Sequence, residues 1–143
     1  MYSLKAEHSF DSAHFLAGYA GKCKNIHGHR WRVEIEVMAE ALIKEGQLDG
    51  MIIDFGDLKK AVKDMVDEYD HALIIQEGTM REETLSCLTE DGFKMIKVDF
   101  RPTAENFAAY FFKNMKDKGF NVKRAIVYET PTNSASYEES GRN

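Results

Sequence analysis

An α+β architecture, with helices packed on one face of a mostly antiparallel β-sheet, is what the apolar patterning of these 143 residues points to. Two stretches near the start, residues 2 to 14 and 27 to 37, alternate apolar and polar as half-buried strands do, because successive strand side chains point to opposite faces. Further along, Leu58, Ala61, Val62, Met65 and Tyr69, and later Phe107, Phe111, Phe112 and Met115, recur at the spacing that lines one side of a helix.

The first strand puts Tyr2, Leu4, Ala6, His8, Phe10, Ser12 and His14 on one face. The second puts His27, His29, Trp31, Val33, Ile35 and Val37 on one face and Arg30, Arg32, Glu34 and Glu36 on the other. Consecutive strands with a modest connection pair antiparallel, and Leu16 to Ile26, with Gly18 and Gly21, is that connection. The end of the first strand then lies beside the start of the second. His14, His27 and His29 meet at one end of the apolar face, with Cys23 in the loop above.

Met51 to Phe55 reads as a short strand, followed by a helix with Asp57 near its N-terminus, where a carboxylate favours the helix dipole. That helix stops at Tyr69-Asp70-His71. Thr79 to Glu82 has the form of a capping box and opens a helix reaching about Glu90. Phe93 to Asp99 reads as a strand. Pro102 to Asn106 starts a third helix, with Gly119 past its end. Residues 122 to 130 form a strand, and Ala135 to Glu138 pair back on it. Open edges remain in so small a sheet, and oligomerisation is a natural way to cover them.

The length suits one domain over 1–143, with a polar, flexible tail from Glu138 to Asn143. No apolar run has the length of a membrane span, and the first residues lack a signal peptide, so a cytoplasmic location is the expectation, with no membrane partner. In a reducing compartment Cys23 and Cys87 stay unpaired. A net charge of −5, from 19 basic and 24 acidic residues, argues against a nucleic-acid surface. Lys22, Lys24, Arg30 and Arg32 form a local basic cluster, suited to an anionic substrate or simply solvated.

The three histidines have the makings of a metal site, since neutral imidazoles bind zinc and three of them leave a position open for catalysis. Satisfied or exposed histidines would give the same pattern. Cys23 reads as a fourth ligand, as a free thiol for acid–base or nucleophilic work, or as a small buried hydrophobe. Cys87 reads as a packing residue. Asp70 beside His71 can orient the imidazole or be an ordinary helix-end pair. Glu129 lies on the apolar side of its strand and needs a partner, either an internal cation or a ligand edge with paired N–H donors. Thr103 and Glu105 fit the start of the third helix.

Six segments together resemble the 6-pyruvoyl-tetrahydropterin synthase family, in its bacterial branch that forms 6-carboxy-5,6,7,8-tetrahydropterin. They are Phe10 to His14, Cys23 to His29, Ile52 to Lys59, Tyr69 to Ile74, Arg101 to Asn106 and Tyr128 to Tyr137, in the family's order and spanning nearly the whole chain. The spacing of three residues between Cys23 and His27 is that of the carboxy-forming branch, and no glutamate stands among Lys24, Asn25 and Ile26 as in a folate-pathway branch.

The resemblance implies a zinc ion on His14, His27 and His29, and a proton-transfer set of Cys23, Asp70 and His71. It implies that Glu129 anchors a pterin ring, with Thr103 and Glu105 nearby. The fold implied is the tunnelling fold, in which subunits join their sheets into a barrel and two trimers stack into a homohexamer with sites between subunits. The implied substrate is 7,8-dihydroneopterin triphosphate, converted to 6-carboxytetrahydropterin, acetaldehyde and triphosphate on the route to queuosine. Two other outcomes stay open, a 6-pyruvoyl product and a non-catalytic zinc-stabilised pterin-binding assembly. Gln76 to Asp99 is longer than in the shorter relatives and has no assigned function.

Overall fold

The computed structural model describes residues 1–139; the end of the tail, residues 140–143, lies outside them. Six strands and three helices follow in the order β1 (Tyr2–His14), β2 (His27–Ala39), α1 (Phe55–Asp67), β3 (Ala72–Gln76), α2 (Glu82–Glu90), β4 (Met95–Val98), α3 (Ala104–Asp117), β5 (Val122–Thr130) and β6 (Asn133–Tyr137). A single 3-10 turn, Lys22–Lys24, sits between β1 and β2. The strands form one sheet in the order β4-β3-β1-β2-β5-β6.

β1 and β2 pair antiparallel along their whole length, as expected, in a register that sets Phe10 opposite Trp31, Ser12 opposite His29 and His14 opposite His27. β2–β5 and β5–β6 are antiparallel as well. The sheet is nevertheless mixed, since β3 pairs parallel with β1 and β4 parallel with β3. β3 escapes the sequence pattern because it is apolar on both sides: Ile74 and Ile75 are both buried, so no alternation marks it.

Ile74 joins the main core, where Phe10, Trp31, Val33 and Ile35 meet Leu58, Val62 and Met65 of α1 and Phe107, Phe111 and Met115 of α3. Phe10 and Trp31 stack with ring centroids 6.0 Å apart, and Phe107 meets Trp31 edge-on at 5.3 Å. Ile75 joins a second cluster with Phe15 and Leu85. Neighbouring strand residues face opposite ways. α1 and α3 therefore share one face, as expected of the helices, while α2 lies on the other.

Two local expectations are corrected. Met51 to Phe55 is not a strand, because Asp54 caps α1, its Oδ1 accepting the Gly56 N–H at 2.6 Å. The Met51 carbonyl instead accepts the Ile43 N–H at 2.9 Å and closes a loop. The Thr79–Glu82 capping box does not form. The Thr79 hydroxyl donates to the Gln76 carbonyl at 2.6 Å, and α2 begins at Glu82. Among the described residues no helix is long and apolar enough to cross a membrane.

Candidate metal centre and acid–base pair

β1 ends beside the start of β2, and the helix-facing residues there are histidines. Pairing in register brings the ring centroids of His14 and His27 to 4.5 Å, of His14 and His29 to 5.1 Å, and of His27 and His29 to 5.0 Å. Trp31 packs edge-on against His14 at 4.9 Å and forms the floor beneath them. Glu129, at the end of β5, brings its Oε1 within 3.3 Å of His14 Nε2 and 3.4 Å of His29 Nε2. One ligand atom from each of these four residues lies within 4.8 Å of the other three.

The remaining ring atoms show how the cluster is oriented. His14 Nδ1 lies 2.7 Å from the Pro102 carbonyl and His27 Nδ1 lies 2.6 Å from the Asn25 carbonyl. A carbonyl only accepts, so each Nδ1 carries the proton and leaves Nε2 as a lone pair. Among the described residues, His14 Nε2 and His29 Nε2 are buried and make no hydrogen bond. Burial pushes the His14 pKa down to about 4, against the pull of the Pro102 carbonyl and with help from the neighbouring rings. Burial lowers that of His29 too, with Glu129 opposing. Both rings are thus neutral at pH 7, the form that binds a metal. Converging, neutral, unpartnered ring nitrogens beside a carboxylate fit a divalent cation, and the cluster can hold a metal ion.

Cys23 sits in the 3-10 turn, half-buried, and is not part of this four-residue group. Its carbonyl accepts the Leu16 N–H at 2.9 Å, which closes the loop. Both cysteines are free thiols. Glu129 lies against the His14 and His29 rings.

Asp70 and His71 form a pair, with Asp70 Oδ2 2.7 Å from His71 Nδ1. The Asp11 N–H donates to Asp70 Oδ1 at 2.8 Å. That backbone contact first, and His71 second, hold the Asp70 carboxyl below the usual carboxylate range. The pair does not face the histidine cluster of its own chain. Asp11 and Arg30, opposite each other in register, lie one residue out of step with Ser12 and His29 and so point to the other face. There they form a two-toothed ion pair at 2.8 and 3.0 Å. His71 opens onto the same face, into a cleft of about 860 Å³ floored by β1 and β2 and walled by Leu73, Leu88, Phe93 and Lys94.

Thr103 caps α3, its Oγ1 accepting the Asn106 N–H at 3.2 Å, and Glu105 lies exposed in the first turn. Of the basic cluster, Arg30 is held by Asp11, and Arg32 by Glu7 at 2.7 Å and by Glu34, with its guanidinium 3.7 Å above the Tyr128 ring. Lys22 and Lys24 stay exposed on the turn. The Pro102 and Asn25 carbonyls that orient the histidines escaped sequence reasoning, because a main-chain oxygen has no residue type.

A family model for 6-pyruvoyl tetrahydropterin synthase matches residues 3–140. A relative from Haemophilus influenzae named 6-carboxy-5,6,7,8-tetrahydropterin synthase is 38% identical over 142 residues, covering 97% of this chain and 100% of the relative. One of the same name from Rickettsia bellii is 35% identical over 128 residues, covering 85% and 89%. Among solved structures, an uncharacterized protein from Wolinella succinogenes superposes with a TM-score of 0.79 at 19% identity, over 97% of this chain and 98% of that one. The Caenorhabditis elegans 6-pyruvoyl tetrahydropterin synthase superposes with a TM-score of 0.67 at 24% identity, over 97% and 96%; these two show the shared tunnelling fold. With nearly its whole length matched and relatives this similar, the chain belongs to the 6-pyruvoyl tetrahydropterin synthase family of enzymes.

Proposed function

We propose that this chain is a zinc-dependent lyase that converts 7,8-dihydroneopterin triphosphate and one water to 6-carboxy-5,6,7,8-tetrahydropterin, acetaldehyde and triphosphate, in the cytoplasm and on the route to queuosine. The observation that carries the reading is the convergence of His14, His27 and His29, with the buried Nε2 atoms of His14 and His29 free of hydrogen bonds. The names of the Haemophilus and Rickettsia relatives support the carboxy-forming reaction.

His14, His27 and His29 would hold the zinc. A bound zinc would polarise side-chain oxygens of the substrate and stabilise the charge that develops beside them. Glu129 accepts the paired N–H donors of the pterin's amino-pyrimidine edge, and so fixes the ring next to the histidines. Thr103 and Glu105, at the start of α3, line the approach. Proton movement at the side-chain carbons falls to Cys23 with Asp70 and His71, an acid–base contribution of roughly 10²- to 10⁴-fold. Asp70 stays ionised and holds His71 by Nδ1 at the lining of the cleft. The pair and the cluster occupy opposite faces of one chain. A complete site therefore draws its histidine cluster from one copy and its acid–base pair from another, as in a homohexamer of two trimers.

Purified protein given 7,8-dihydroneopterin triphosphate is expected to release acetaldehyde, and Cys23→Ala in the same assay to retain zinc and lose nearly all product. A 6-pyruvoyl product would move the chain to the sister reaction. Pterin binding without turnover would make it a non-catalytic assembly. Zinc lost along with activity in Cys23→Ala would make the thiol a ligand.

A further inference from the structure

The stretch Gln76 to Asp99 carries α2 and β4, and the proposed reaction assigns none of it a role. Near its end, Lys94 makes one contact to the Asp70–His71 turn and one to the start of β3. Its Nζ donates to the Asp70 carbonyl at 2.9 Å, and its own carbonyl accepts the Leu73 N–H at 3.0 Å.

The turn it holds is unusual. His71 is the one non-glycine residue with a positive φ among the described residues, at +55°. A residue with a Cβ leaves that conformation unless contacts hold it there. It could do so by a flip of the peptide plane between Asp70 and His71, which would swing the Asp70 carbonyl one way and the His71 N–H the other. Both ends of that plane are pinned. The His71 N–H donates to the Asp11 carbonyl at 2.6 Å, and the Asp70 carbonyl is held by Lys94. β1 secures the flanks, through the Asp11 N–H on the Asp70 carboxylate and the Ser12 hydroxyl on the Tyr69 carbonyl. Lys94 and His71 also line the same cleft.

We propose that Lys94 is a positioning residue for the Asp70–His71 pair: by holding the Asp70 carbonyl it keeps the peptide plane, and with it the imidazole, in the orientation that presents His71 to the cleft. The role rests on the reading of Asp70 and His71 as the acid–base pair. It gives the stretch Gln76 to Asp99 a function, that of a brace at the edge of the active site. Water competes for an exposed hydrogen bond of this kind, so its loss changes global stability little. Its effect belongs in the rate of the proton-transfer step, which is sensitive to small misplacements.

The test compares Lys94→Met, Lys94→Arg, His71→Ala and the Lys94→Met/His71→Ala double variant in the acetaldehyde assay, with thermal melting of each. Lys94→Met is expected to lower kcat roughly ten-fold and leave KM within about two-fold, with the melting temperature unchanged. Lys94→Arg, which keeps the charge and the donors, is expected to restore most of kcat. In the His71→Ala background, Lys94→Met is expected to add nothing, since the group it positions is gone. Wild-type kcat in Lys94→Met beside an inactive His71→Ala would overturn the positioning role alone. Full turnover in His71→Ala would overturn the reading of the pair, and the role of Lys94 with it. A kcat loss that follows a fall in melting temperature and is not restored by arginine would mark a merely structural lysine. Should Lys94→Met not fold, Lys94→Gln, which keeps a shorter donor, carries the same comparison.

Discussion

His14 illustrates how one residue serves two demands at once. Its ring is buried against Trp31 and bonded through Nδ1 to Pro102, which leaves it neutral and aimed. The cost appears in acid. In the folded metal-free protein His14 stays unprotonated down to about 4, whereas the unfolded chain takes up the proton near the ordinary value of 6.5. Between those values the unfolded state binds more protons, so stability falls as pH falls through that window, by on the order of 3 kcal/mol in all. His29, also lowered, adds to the slope. Carboxylates held below their ordinary value, Asp70 among them, cost stability in the same direction but in a more acidic range, mainly below about pH 4. Urea unfolding of the metal-free protein between about pH 7 and about pH 4.5 should show the loss, and His14→Gln should flatten it. Equal slopes in both proteins would mean that the ring is not held neutral.

At the scale of elements, α3 shows a cap with a second consequence. Thr103 closes the N-terminus of the helix, and the residue before it supplies the carbonyl that orients His14. Asn106 ties back to the Arg101 carbonyl at 2.9 Å, and Arg101 reaches the Ala17 carbonyl at 3.2 Å, so the turn is anchored on both sides. Thr103→Ala removes the cap, and unfolding in urea should show a loss of about 1 kcal/mol. Because the Pro102 carbonyl then loses its fixed position, retention of metal during dialysis should weaken as well; retention at the wild-type level would separate the cap from the cluster. The β1–β2 hairpin was legible because one face is buried and one is not, and the alternation survives in the sequence. The start of α2 was misplaced because a Thr-x-x-Glu pattern states what a side chain can do, and Thr79 found another carbonyl first.

At the scale of the whole molecule, the two faces of the sheet divide the candidate site residues. The histidine cluster lies with α1 and α3, and the Asp70–His71 pair lies across the sheet with Asp11 and Arg30. If one site takes a face from each of two copies, chains carrying His29→Ala and chains carrying His71→Ala, each inactive alone, should recover turnover when coassembled. Mixed assemblies that stay inactive would place the whole site within one chain. The histidine side of this division was readable from residues alone. Period-two alternation put His14, His27 and His29 at one strand end, helical spacing marked the stripes of α1 and α3, and the ordered motifs pointed to the family. These features are local, set by the backbone geometry of the element that carries them. Other features belong to no local pattern. The parallel placement of β3, the side of the sheet that α2 covers, the meeting of Glu129 with the histidines and the carbonyls of Pro102 and Asn25 each depend on residues tens of positions apart or on main-chain atoms. Burial on both faces of β3 erased its alternation, and a carbonyl oxygen is the same whichever residue carries it. Only packing the chain against itself decides which of them reaches the ring of His14.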